Sequence, residues 1–126
     1  MLSGDDLENF GYYENFTDSD EVDWADLYSG FVEKMMLTKG QERLVENILG
    51  LVGEAGEVAE KIKKQIRDGN TFTNEEIMHE LGDVAFYMVA LGNIYGKGLR
   101  EILELNIQKL DDRQKRGKLK GSGDNR

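Results

Sequence analysis

Between Leu44 and Ile66, apolar side chains recur three or four residues apart, with one adjacent pair at Leu51 and Val52: Leu44, Ile48, Leu51, Val52, Ala55, Ala59, Ile62 and Ile66. That step follows the helical turn and not the two-residue period of a strand, so the stretch predicts an amphipathic helix. It should stop near Asp68-Gly69-Asn70, with glycine as the C-cap. The chain contains no proline, and helical patterns flank this segment on both sides. From about Val22 to Leu37, Trp24, Leu27, Tyr28, Phe31 and Met35 share one side, and Thr38-Lys39-Gly40 breaks the pattern. Thr73 or Asn74 can cap a third helix whose first turn holds Glu75 and Glu76, where acids suit the helix dipole. That helix is apolar nearly all round from Leu81 to Tyr95, which predicts burial on most faces. Gly96-Lys97-Gly98 ends it, and a fourth helix carries Leu99, Ile102, Leu103, Ile107 and Leu110, fading after Arg116-Gly117. No alternating run is long enough for a strand. The expected fold is all-α, a four- to five-helix bundle.

With 126 residues, one domain is expected, and 39% hydrophobic residues suffice for a core. We read an acidic lead-in over residues 1–21, a helical domain over 22–117 and a basic, glycine-rich tail over 118–126. Tyr12, Tyr13 and Phe16 are read as candidate docking aromatics within the lead-in. Residues 1–33 hold ten acids and neither Lys nor Arg. A net charge of −9 argues against a general nucleic-acid binder. No run reaches the roughly eighteen apolar residues of a membrane span, and Met1–Asp6 shows neither the basic nor the apolar part of a secretory signal. Without cysteine there is no disulfide or zinc–thiolate site, and a reducing, cytoplasmic setting is expected.

Two carboxylate pairs carry the chemistry. Glu54 and Glu57 lie three apart on the second helix, and Glu80 and Asp83 three apart on the third. Residues at that spacing project from one side of a helix. If the two helices pack antiparallel across residues 69–74, all four acids can converge. Four convergent carboxylates need a compensating charge, and a hard divalent cation, Mg²⁺ or Mn²⁺, supplies it. Taken alone, Glu54 and Glu57 fall off the apolar stripe and read as solvated. Glu80 and Asp83 are nearly the only charges in an apolar helix, and buried acids need a partner.

Asn106 falls in the apolar stripe of the fourth helix, with Lys109 and Arg113 alongside. It is either a register device between helices or a substrate contact, with the two cations meeting phosphates; spacing leaves both open. Glu76-Ile77-Met78-His79 has the Glu-x-x-His form of di-iron bundles, but those need two such motifs and this chain has one histidine. His79 is therefore read as a surface residue. There is no phosphate loop of Walker type, no Ser–His–Asp set and no cysteine nucleophile.

Gly50-Leu51-Val52-Gly53-Glu54-Ala55-Gly56-Glu57-Val58-Ala59-Glu60, then Glu80-Leu81-Gly82-Asp83-Val84, then Asn106-Ile107-Gln108-Lys109-Leu110 through Arg113 resemble the MazG-like all-α nucleoside triphosphate pyrophosphohydrolases. The resemblance runs from roughly residue 25 to 117. The ending Gly121-Ser122-Gly123-Asp124-Asn125-Arg126 is similar to the tail of some phage and bacterial members. The resemblance implies a bundle completed by dimerisation or by pairing into tetramers. It implies Mg²⁺-dependent cleavage of an NTP or dNTP to the monophosphate and pyrophosphate, a cleansing of the nucleotide pool. Carried over, Glu54, Glu57, Glu80 and Asp83 would bind the metal, with Glu57 also the favoured base for the attacking water. Asn106, Lys109 and Arg113 would hold the triphosphate, and Tyr87 would bond a phosphate or pack near the sugar. Two alternatives stand beside this reading. One is a non-catalytic helical interaction module; the other is a sister enzyme of the dUTPase or phosphoribosyl-ATP pyrophosphohydrolase type.

Overall fold

A computed structural model of the chain describes residues 23–117; the lead-in with its three aromatics and the C-terminal tail lie outside the described residues. Four helices follow in order: α1 (Trp24–Lys34), α2 (Gly40–Asp68), α3 (Asn74–Ile94) and α4 (Leu99–Lys115). The fold is all-α, with no strand among the described residues. None of these helices is long and apolar enough to cross a membrane.

Local chemistry sets the boundaries. Asp23 caps α1, its carboxylate accepting from the backbone N–H groups of Ala25 at 3.0 Å and Asp26 at 3.3 Å. The helix ends three residues before the expected Leu37. Its last turn tightens into Met35 N–H to Val32 carbonyl and Met36 N–H to Glu33 carbonyl bonds, which close the helix early. Gly69 ends α2 in the left-handed conformation, φ 70°, as the glycine C-cap predicts. Thr73 and Glu76 form a reciprocal capping box at the start of α3. His79 is exposed on α3, 3.6 Å from Glu75.

The α2–α3 hairpin dominates the packing. Its antiparallel register shows in the pairs that meet: Gly50 faces Tyr87 near one end, and Lys61 meets Glu80 and Phe72 near the turn. A side chain at Gly50 would overlap the Tyr87 ring, so glycine there lets the helices close together. The core proper lies elsewhere. Val32 of α1 packs with Val89 and Ala90 of α3, joined by Tyr28, Phe31, Met36, Phe86, Met88 and Leu99. Ser29 ties α1 to its neighbours: its carbonyl accepts from Asn93 at 3.0 Å, and its hydroxyl accepts from the Leu99 N–H at 2.7 Å. Arg100 adds a bond to Asp26 at 3.1 Å. Arg43 clasps Glu33 through two bonds of 2.9 and 2.6 Å, linking α1 to α2.

Two expectations need correction. Most of the apolar stripe of α2 does not face the rest of the chain: Ile48, Val52, Ala55, Ala59, Ile62 and Ile66 are exposed, and only Leu44 and Leu51 of the stripe are half-buried. The better covered positions are Asn47, Gly50, Leu51, Glu54, Val58, Lys61 and Gln65, a neighbouring face at the same helical spacing. Nor is α3 buried on most faces. Val89 and Ala90 are its fully buried residues, whereas Met78 and Leu81 are exposed. The reason is geometric: α1 packs on the C-terminal half of α3, and its N-terminal half keeps α2 on one side alone.

Candidate functional site

Glu80 and Asp83 project from one side of α3 toward α2, where Glu54 meets them. One carboxylate oxygen from each of Glu54, Glu80 and Asp83 lies within 4.8 Å of the other two. Glu54 and Glu80 are half-buried and Asp83 is exposed. Glu57, one turn further along α2, is exposed and stands at the rim of this group. The closeness has an electrostatic cost. Burial raises the Glu54 carboxyl above its ordinary value, and Asp83, Glu80 and Glu57 push it further in the same direction.

Two residues join this neighbourhood that the sequence assigned no site role. Tyr28 comes from α1; burial, then the charge of Asp83, raises its hydroxyl above the usual tyrosine value. Lys61 comes from α2 and sits 3.7 Å from Glu80 Oε1. In the sequence, Tyr28 reads as one of several aromatics on an apolar face and Lys61 as one of many surface cations. Tyr87 lies one turn beyond Asp83, its ring against Gly50 and edge-on to Phe86 with centroids 5.4 Å apart.

The residues expected to hold a triphosphate are placed differently. Asn106 is exposed and not in a core stripe, because Leu103, Ile107 and Leu110 beside it are exposed as well. With Lys109 it lines an open cavity of about 780 Å³ that includes Gly92, Tyr95 and Ile102. Gly92 is nine residues beyond Asp83, which puts this cavity about 13 Å further along the α3 axis at 1.5 Å per residue. Arg113, in the last turn of α4, is buried.

Chemically, the α2–α3 cluster offers oxygen ligands alone, with mutual repulsion that a cation would relieve. That donor set could hold a metal ion and fits a hard divalent one better than a soft one. A profile of the MazG nucleotide pyrophosphohydrolase domain matches residues 42–117, a span that contains α3, α4 and nearly all of α2. The chain is also 44% identical over 82 residues to the Gene 37 protein of Mycobacterium phage L5, an alignment covering 62% of this chain and 72% of that protein. No solved structure matches the chain.

Proposed function

The chain belongs to the MazG nucleotide pyrophosphohydrolase family, and from that premise we propose that it cleaves a nucleoside or deoxynucleoside triphosphate to the monophosphate and pyrophosphate with Mg²⁺, for which Mn²⁺ can substitute. The observation that carries this reading is the convergence of Glu54, Glu80 and Asp83 from two helices. These three, with Glu57 completing the set, are the proposed metal ligands. A bound divalent ion would neutralise charge on the phosphate oxygens, the main requirement of phosphoanhydride cleavage. Glu57, exposed on α2 one turn from Glu54, would orient the attacking water and accept its proton as the phosphoanhydride bond breaks and pyrophosphate leaves. Tyr87 borders the cluster as a contact for phosphate or sugar.

Association is part of the proposal. Val52 is 67% exposed and Ile66 82% exposed on α2, and Met78, Leu81, Leu103 and Ile107 add apolar surface on α3 and α4. So much uncovered apolar surface suits a symmetric dimer, or a pair of dimers, in which a second copy covers the α2 stripe. Asn106, Lys109 and Arg113 are the proposed triphosphate contacts in that assembly. The setting proposed is the cytoplasm, where the activity would cleanse the nucleotide pool.

The test is a panel of nucleoside and deoxynucleoside triphosphates assayed for pyrophosphate with and without Mg²⁺. At least one should yield pyrophosphate and monophosphate in equal amounts, and only with the metal. Release of inorganic phosphate instead, or no product from any triphosphate, would contradict the proposal.

A further inference from the structure

Lys61 sits between the acidic cluster and the α2–α3 turn, held from two sides. Its ammonium lies 3.7 Å from Glu80 Oε1, with only 25% and 21% of the two side chains exposed, so solvent screens the pair less than an open surface pair. The same ammonium is 4.7 Å from the centroid of the Phe72 ring. A lysine head is ordinarily free to wander, and a ring face at that distance keeps it in place. The 3.7 Å separation is too long for a hydrogen bond. Lys61 therefore acts on Glu80 through charge and not by directing its carboxylate.

We propose that Lys61 is a built-in counter-cation that competes with the metal for Glu80 and holds the metal affinity of the nucleotide-free protein down. The proposal rests on the metal reading of the cluster. An ion that enters with a triphosphate brings phosphate oxygens as further anionic ligands, which offsets the competition; a free ion has only the protein's carboxylates and neutral water. Lys61 thus biases the site toward the metal–nucleotide complex over the free ion.

The experiment is calorimetric titration of Mn²⁺ into the nucleotide-free 126-residue protein at fixed ionic strength. Lys61→Met, which keeps the apolar stem, should bind Mn²⁺ at least threefold more tightly than wild type, and Lys61→Arg should stay within twofold of wild type. Metal-free Lys61→Met should also melt below wild type, and saturating Mn²⁺ should close that gap, which a merely structural lysine would not do. Phe72→Leu leaves the charge but loosens it, so it should tighten Mn²⁺ binding by a smaller factor and gives the answer if Lys61→Met does not fold. Unchanged or weaker binding in both Lys61→Met and Phe72→Leu, with wild type binding normally, overturns the role of Lys61 alone. No Mn²⁺ binding by wild type or either variant at millimolar concentration removes the metal reading, and this inference with it.

Discussion

Glu54 carries the clearest electrostatic signature of the site, and the sign of its pH dependence follows from it. A carboxyl whose pKa is raised in the folded state holds more protons folded than unfolded just above its ordinary value of 4.5. Stability of the metal-free protein therefore falls as pH rises through that window, because the folded site gives up its proton less readily than the unfolded chain does. Glu54→Gln removes the titrating group while keeping the shape. Metal-free Glu54→Gln should melt above wild type at pH 7 and with a flatter slope between pH 4 and 7; thermal melts showing it below wild type at pH 7 would contradict the crowding of acids around Glu54. Asn106 poses a different question. Its exposure removes the register role within one subunit, so Asn106→Leu should leave the fold intact. If Asn106 contacts the nucleotide, kcat/KM should drop more than tenfold, about 1.4 kcal/mol of lost transition-state stabilisation. Steady-state kinetics beside a melt separate the two, and intact kinetics would remove Asn106 from the site.

Helix α3 begins with a capping box that was half legible: the sequence offers Thr73 or Asn74 as the cap, and the structure selects Thr73, with Glu76 closing the box. Thr73→Ala should cost about 1 kcal/mol in urea unfolding; a loss below about 0.3 kcal/mol would mean that this end of α3 is held by packing instead. The four helices and their glycine stops were readable because they depend on local signals: a three- and four-residue apolar period, Gly69 after α2 and Gly96 after α3. The convergence of four acids was readable in part: spacing of three on both helices and a short turn restrict the register, and Glu54, Glu80 and Asp83 meet, whereas Glu57 lies outside that group. The rotation of each helix about its axis was not. An apolar period shows which face of α2 needs cover but not which surface supplies it, so Ile48, Val52 and Ile62 read as core and lie exposed. The face turned to α3 carries Gly50, Glu54 and Lys61, a mixture that no hydrophobicity rule selects. Tyr28 and Lys61 were invisible for the same reason, because their nearness to the acids follows from helix rotation and tertiary packing.

At the scale of the whole molecule, the described chain buries little. Leu27, Val32, Val89 and Ala90 are its fully buried apolar residues, against an exposed stripe that runs most of the length of α2. Light scattering at micromolar concentration should therefore return a dimer or larger, and Val52→Glu should shift it toward the monomer by placing a charge in the stripe. A monomeric wild type, or a Val52→Glu variant of unchanged mass, would mean that the stripe of α2 is not the assembly surface. The proposed metal-dependent turnover at this cluster depends on Asp83, at the junction of the two long helices. Asp83→Asn is nearly isosteric and removes one ligand charge from the cluster that Glu54 and Glu80 share. Pyrophosphate release at saturating Mg²⁺ and nucleotide, measured for wild type and Asp83→Asn side by side, is the most direct test. Loss of turnover by more than a hundredfold, with the melting temperature and oligomeric mass retained, is the predicted result; activity within threefold of wild type would contradict the assignment of this cluster as the catalytic metal site.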